Sequence, residues 1–283
     1  MKNQVFNPYL PSYEYVPDGE PRVFGDRLYV YGSHDAFGGA GYCENDYVGW
    51  SAPLSDLSDW RCEGVIYPAA RDPQNTDGRM KLFAPDAVQG PDGRYYLYYS
   101  LNGSSLVSVA VCGSPMGEFE FYDFVRWPDG APLGSREGEI SCFDPGVLAD
   151  GEDIYLYTGF APGPGRLYDL LSKNGRRMEG AYCTALEPDM RTVRRAPVLI
   201  APGVWREKGT GFEGHAFYEA SSIRKIGEVY YFVYSSILSH ELCYAVSRYP
   251  DRDFRFGGTL VSIGDVGLKG NTEALNYTGN THG

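Results

Sequence analysis

The sequence is short of positive charge and of long apolar runs. It has 25 lysine and arginine residues against 37 aspartate and glutamate residues, a net charge of −12. An acidic chain disfavours nucleic acid and anionic membranes as partners, because both require a basic surface. No apolar run approaches the roughly 18 residues of a membrane-spanning helix. The first eight residues contain no apolar signal segment, so we expect a cytoplasmic location.

Metal-binding and redox motifs are also lacking. The six cysteines form no CxxC pair and no zinc-type spacing. We therefore expect small buried thiols in a reducing compartment and no disulfide framework. No organic cofactor is expected either.

Tyrosine, by contrast, is abundant, with 24 copies, and it recurs in four similar segments. Each segment is a short apolar run that ends in tyrosine followed by a small residue, which is typical of a half-buried strand. The four segments are 28–32, 95–100, 154–158 and 230–235.

A carboxylate precedes each tyrosine segment at a nearly fixed distance. Asp18, Asp86 and Asp144 each lie 13 residues before the tyrosine that closes the segment, and Glu219 lies 15 residues before its own. One such aspartate alone would be interpreted as a turn residue. Four in register favour a functional interpretation, because turn chemistry needs no fixed distance from a strand.

The repeat predicts an all-β protein built from propeller blades, as a single domain over residues 1–283. Equivalent residues of successive blades lie on a ring around the propeller axis, so the four acids are expected to cluster at one mouth of the channel.

Clustered carboxylates indicate either a divalent metal site or acid and base catalysis on a glycosidic bond. The acid needs a long side chain and an apolar neighbourhood, which Glu219 has in Phe217, Tyr218 and Ala220. The residues alone leave open which of the three aspartates is the base.

Five motifs together resemble glycoside hydrolase family 43, over nearly the whole chain. They are Asn7–Pro11 leading to Asp18, Ala84–Asp86, Phe143–Pro145, Glu219–Ser222 and Asn280–Gly283. The resemblance implies a five-bladed β-propeller. A further strand should then follow Gly283, so the chain looks truncated, or its fifth blade incomplete.

The resemblance also implies roles for the acids. Asp18 matches the general base that activates water, and Glu219 matches the general acid. Asp144 matches a third acid that tunes and orients Glu219. Asp86 falls on a supporting motif and is expected, with Phe83, to contribute to substrate binding. Phe83 stands where the family usually has tryptophan, which implies a smaller or shifted stacking surface.

Three histidines are further candidates. His34 and His215 could line a sugar pocket or could be loop residues satisfied by hydrogen bonds, and His215 is favoured because it lies four residues before Glu219. The resemblance suggests that His282 reaches the central channel and helps to hold calcium, against the alternative of a terminal histidine without a role.

The resemblance to family 43 implies an inverting exo-glycosidase that releases β-D-xylose or α-L-arabinofuranose from a small, plant-derived oligosaccharide substrate. A binding propeller without catalysis, and an endo-arabinanase or galactanase on the same scaffold, remain as alternatives.

Overall fold

The computed structural model describes residues 9–239 and 241–262. Contacts divide the chain into two compact units, with the boundary between Phe124 and Val125. The first unit contains β1 (Glu20–Phe24), β2 (Arg27–Tyr31), β3 (Tyr47–Pro53), β4 (Arg61–Tyr67), a 3-10 helix (Ala69–Arg71), β5 (Leu82–Gln89), β6 (Tyr95–Leu101), β7 (Val107–Cys112) and β8 (Glu120–Phe124). The second contains β9 (Gly146–Asp150), β10 (Asp153–Thr158), α1 (Arg166–Leu171), a 3-10 helix (Ser172–Asn174), β11 (Gly180–Leu186), β12 (Val193–Pro202), β13 (Phe217–Ile226), β14 (Val229–Ser236), β15 (Glu241–Ser247) and β16 (Arg255–Ser262).

Each unit holds two four-stranded antiparallel sheets, which we call blades 1 to 4 in chain order. Within every blade the strands pair in sequence order, as in β1-β2-β3-β4. Such meanders are the blades from which β-propellers are built. The described residues therefore form four blades and not five. The fifth blade and its proposed incompleteness, like His282, lie outside the described residues.

The four tyrosine segments are the second strands of the four blades, β2, β6, β10 and β14. This confirms the repeat. The closing tyrosines are fully buried, in one hydrophobic core in each unit. A buried hydroxyl needs a partner, and each ring has one: Tyr157 donates to the carbonyl of Pro250 at 2.8 Å, and Tyr31 donates to that of Pro115.

The six cysteines are free thiols, and four of them are buried, as the sequence predicts. In the part of the chain that the structure describes, no helix is long and apolar enough to cross a membrane.

The three aspartates are equally spaced from their closing tyrosines in sequence, but they differ in their register between the first and second strands. Tyr31 pairs with Glu20, two residues after Asp18, and Tyr157 pairs with Gly146, two residues after Asp144. Asp86, however, lies inside its strand and pairs with Tyr98. The cause is the hairpin loop: residues 25–26 and 151–152 form two-residue loops, whereas residues 90–94 form a five-residue loop. Asp18 and Asp144 are thus equivalent positions, and Asp86 is not.

Within the second unit, blades 3 and 4 meet at a glycine. A Cβ atom on Gly146 would lie 2.4 Å from the backbone oxygen of Ser221. Only glycine allows this approach, which brings the strand after Asp144 against the strand that carries Glu219.

Gly146→Ala should therefore destabilise the protein by about 2 kcal/mol or more, because backbone and not a flexible side chain must move. Thermal or urea unfolding measures the effect. Gly113→Ala is the control, since no atom lies within 4 Å of its Cβ. Equal stability of the two variants would contradict the close packing of β9 on β13.

Candidate active site

Asp18 lies in the turn before β1 with its backbone in the left-handed region, at φ 58°. Non-glycine residues rarely adopt this conformation unless their surroundings enforce it. Here the Ser33 hydroxyl donates a hydrogen bond of 2.6 Å to Oδ2 of Asp18. Ser33 in turn accepts the N–H of Ala84 at 2.9 Å. The half-buried carboxylate of Asp18 is thus tied to the first strand of blade 2.

Asp86 is fully buried and forms a bidentate ion pair with Arg22. Arg22 Nε donates to Oδ1 at 2.7 Å and Nη2 donates to Oδ2. Oδ1 also accepts the N–H of Ala87 at 2.7 Å. Burial alone would lower the pKa of Arg22, but the charge and hydrogen bonds of Asp86, together with the charge of Glu20, raise it.

Both oxygens of Asp86 take part in holding blade 1 to blade 2, so the carboxylate supports the strand. Contact between Asp86 and a substrate stays a prediction. Removal of either partner would leave a buried charge uncompensated, at a cost of about 3–5 kcal/mol.

Phe83 is half-buried beside an exposed ring that the sequence analysis missed. Its ring centroid lies 5.9 Å from that of Tyr42, which is 63% exposed. Lys81 Nζ lies 4.7 Å from the centre of the Tyr42 ring. Tyr47 donates to the Phe83 carbonyl at 2.7 Å and fixes its backbone. Phe83 and Tyr42 together offer aromatic surface for the CH face of a sugar.

His34 is a loop histidine with a hydrogen-bonding partner at each ring nitrogen, and its contact with a sugar stays a prediction. Its Nδ1 lies 2.8 Å from the Asp46 carbonyl and its Nε2 lies 2.8 Å from Glu14 Oε1. Both ring nitrogens are therefore used to fix the loop after β2.

Asp144 repeats the geometry of Asp18 in the second unit. Its φ is 44° and it is 2% exposed. Oδ2 accepts the N–H of Ala220 at 3.2 Å. Ala220 is itself in the left-handed region, at φ 62°, and directly follows Glu219. The third acid thus holds the bend in β13 beside the proposed general acid, which is 7% exposed.

Three half-buried aromatic rings accompany these two acids. Phe160 lies 5.2 Å from Phe143 and 5.4 Å from Tyr218, measured between ring centroids. The N–H of Ala161 donates to the Tyr218 carbonyl at 2.9 Å. Phe143 precedes Asp144 and Tyr218 precedes Glu219, so both could be found from the motifs. Phe160 lies in the loop after β10 and carries no sequence signal.

One ring nitrogen of His215 has a hydrogen-bonding partner, and the side chain is partly exposed to solvent. Nδ1 lies 2.7 Å from Glu241 Oε1, and the ring stacks on Phe256 with centroids 4.5 Å apart. The side chain remains 35% exposed. Contact with a sugar through its exposed edge stays a prediction.

Glu241 is the centre of a buried polar group at the start of β15. It accepts hydrogen bonds from Ser236 at 2.6 Å and from Thr259 at 3.0 Å. Burial alone would raise the pKa of Glu241, but the hydrogen bonds from Ser236, His215 and Thr259 together lower it.

Among the described residues, His215, Glu241 and Cys243 form the one group of possible metal ligands, with ligand atoms within 4.8 Å of one another. Nitrogen, oxygen and sulfur donors suit zinc, whereas calcium prefers oxygen alone. This group therefore does not fit the calcium site expected from the sequence, whose residue His282 lies outside the described chain.

The sequence matches the model of one known protein family. The sequence model described as glycosyl hydrolases family 43 matches residues 19–251 of the chain. The chain belongs to family 43. The matched segment contains Asp144 and Glu219, and it begins directly after Asp18.

Relatives within family 43 bear related names. The chain is 54% identical over 286 residues to a xylosidase/arabinosidase of Thermoclostridium stercorarium, with 100% of this chain and 58% of the relative covered. It is 29% identical over 279 residues to a xylosidase/arabinosidase of Bacteroides ovatus, with 90% and 80% covered. The chain thus spans little more than half the length of the first relative.

Solved structures support the propeller fold of family 43. An α-L-arabinofuranosidase from Clostridium thermocellum matches with a TM-score of 0.64 at 24% identity, over 96% of this chain and 78% of that one. A β-xylosidase/α-arabinofuranosidase from a compost metagenome, described in a calcium-free form with xylotriose, matches with a TM-score of 0.65 at 23% identity, over 91% and 81%. At these identities the likeness concerns the fold.

The lowered pKa of Glu241 predicts a pH-dependent stability. A carboxylate with a depressed pKa stabilises the fold above its unfolded value, near about 4.3, and this contribution is lost as the pH falls through the folded value. Glu241→Gln should therefore be clearly less stable than the unsubstituted protein at pH 7. The gap should narrow as the pH falls below about 4.

Urea unfolding across pH measures this gap. Glu152→Gln, at an exposed hairpin position, should give a small difference throughout. A gap for Glu241→Gln that widens on acidification would contradict the hydrogen-bonded carboxylate.

Proposed function

We propose that this chain is an inverting exo-glycosidase that releases β-D-xylose or α-L-arabinofuranose from short oligosaccharides. Family membership and the names of the relatives support this class of activity. The observation that carries the proposal is that two acids have the same position and the same backbone conformation in their blades. Asp18 and Asp144 occupy equivalent positions before the first strand of their blades, both in left-handed backbone.

Left-handed backbone is uncommon in residues other than glycine, although aspartate tolerates it better than most. Its presence at two motif acids supports a functional reason for holding each carboxylate at a fixed angle.

The proposed chemistry assigns one proton transfer to each of two residues. Asp18 takes a proton from water as the water oxygen bonds to the anomeric carbon. Glu219 gives its proton to the glycosidic oxygen as the bond from that carbon breaks. The products are the free sugar and the shortened alcohol, with Asp18 protonated and Glu219 ionised until both exchange with solvent.

Asp144 positions the acid in this proposal and takes no proton. Its hydrogen bond to the N–H of Ala220 acts on the residue next to Glu219. The rings of Phe143, Phe160 and Tyr218 supply apolar surface beside the two acids of the second unit. Such surface excludes water from a proton donor and packs against sugar CH groups.

A screen with nitrophenyl β-D-xyloside, nitrophenyl α-L-arabinofuranoside and polymeric arabinan tests the substrate class. Release of nitrophenol from either glycoside, with no depolymerisation of arabinan, is the expected result. Depolymerisation would favour the endo-arabinanase alternative, and binding of xylo-oligosaccharide in calorimetry without turnover would favour a binding propeller. The same screen with and without a chelator tests the proposed calcium ion near His282.

Glu219→Ala should slow hydrolysis of alkyl glycosides by about 10²–10⁴-fold, because their leaving oxygen must be protonated as it departs. Hydrolysis of a dinitrophenyl glycoside should slow far less, since that leaving group departs as an anion. Steady-state kcat/KM for both substrates measures the contrast.

Glu228→Ala, at an exposed position in the hairpin of the same blade, is the matched control and should leave both rates unchanged. Equal loss on both substrates for Glu219→Ala would contradict its role as the acid.

A further inference from the structure

Ser33 is a buried residue that no motif singles out. It follows Gly32 at the end of β2 and has no exposed surface. Since Glu20 pairs with Tyr31, two further steps along both chains bring Ser33 opposite Asp18. The serine Oγ lies 2.6 Å from Asp18 Oδ2, the distance of a charge-assisted hydrogen bond.

The surroundings of Ser33 decide the direction of its hydroxyl hydrogen. A serine hydroxyl has one hydrogen to donate and two lone pairs to accept. The N–H of Ala84 donates to Oγ at 2.9 Å, so it occupies one lone pair. Ionised Asp18 can only accept, so the single hydrogen of Ser33 points at the carboxylate.

The contact to Ala84 also anchors Ser33 from outside its own blade. Ala84 has a φ of 21° and lies at the bulge between Phe83 and Asp86. The same strand, β5, is held to blade 1 a second time by the ion pair between Asp86 and Arg22. Ser33 is therefore clamped between two blades of the first unit and cannot follow Asp18 if that side chain rotates.

We propose that Ser33 is a positioning residue for the general base: its hydroxyl fixes the rotamer of Asp18 and stabilises the carboxylate over the carboxylic acid. The proposal rests on the proposed function, in which Asp18 takes the proton of the attacking water. A donor hydrogen bond favours the charged form of a carboxyl group, so loss of the Ser33 hydroxyl in a variant would act against that form.

Among the described residues, the charged groups near this hydroxyl have partners of their own. The titratable neighbours that act on the adjacent Cys43 thiol are Asp18, Asp35 and Lys81. Arg22 is engaged with Asp86. Lys81 is engaged with the Tyr42 carbonyl. Asp35 accepts the N–H of Cys43.

The test is the pH profile of kcat/KM for Ser33→Ala. The acidic limb should move to higher pH by about one unit, and kcat should fall about tenfold with KM nearly unchanged, as expected for loss of a hydrogen bond to a charged group. Ser33→Thr keeps the hydroxyl and should return the acidic limb to its original position, whatever its effect on stability.

Ser51→Ala is the matched control. Ser51 is equally buried in the same unit, and its hydroxyl also donates to a carboxylate, that of Glu63. This variant should lose similar stability in thermal unfolding and leave the acidic limb in place.

An unshifted limb in folded Ser33→Ala would overturn the proposal, as would a shift of the same size in Ser51→Ala. Asp18→Asn separates this failure from that of the proposed function. If Asp18→Asn is inactive and Ser33→Ala behaves as the unsubstituted protein, only the role of Ser33 is wrong. If Asp18→Asn is fully active, the assignment of the base is wrong.

Discussion

Each unit depends on a hydrogen bond from the N–H of an alanine in left-handed backbone to a side chain of the preceding blade. In the first unit Ala84 donates to Ser33, and in the second Ala220 donates to Asp144. Both alanines lie at a bulge in the first strand of their blade. A bulge redirects the side chains that follow or precede it. The bond therefore joins two blades and sets the direction of the neighbouring acid at the same time.

Tyrosine provides the apolar counterpart of this link. The rings of Tyr31 and Tyr157 fill the cores of the two units, and their hydroxyls bind the carbonyls of Pro115 and Pro250 in the next blade. The two prolines occupy equivalent loops, between the third and fourth strands of blades 2 and 4. One side chain thus supplies buried area and a directed contact, which explains why tyrosine and not phenylalanine recurs at this place.

Much of this arrangement was predictable from the sequence, because strands, hairpins and buried tyrosines are determined by local pattern. The positions of Asp18, Asp144 and Glu219 at the start of first strands followed from the repeat. Asp86 did not, because its count of 13 residues includes a longer hairpin loop, and loop length changes register without changing spacing. The number of residues between two positions does not show which residues pair across neighbouring strands.

The repeat pattern could not predict contacts between residues that are distant in sequence. His34 binds Glu14 and Asp46, and Phe160 packs on Phe143 and Tyr218, only because the loops between them fold back. Ser33 carried no signal, since a serine after a strand is common. Its role emerges from two hydrogen bonds that join residues 15 and 51 positions away.

In the proposed mechanism Asp18 activates water while Glu219 protonates the leaving group, so that water attacks the sugar from the side opposite the departing oxygen. Proton NMR of the first sugar released from a β-D-xyloside, recorded before mutarotation, tests this most directly. Such an attack gives α-xylose as the first product. β-Xylose as the first product would require a covalent intermediate on one of the carboxylates and would contradict direct attack by water.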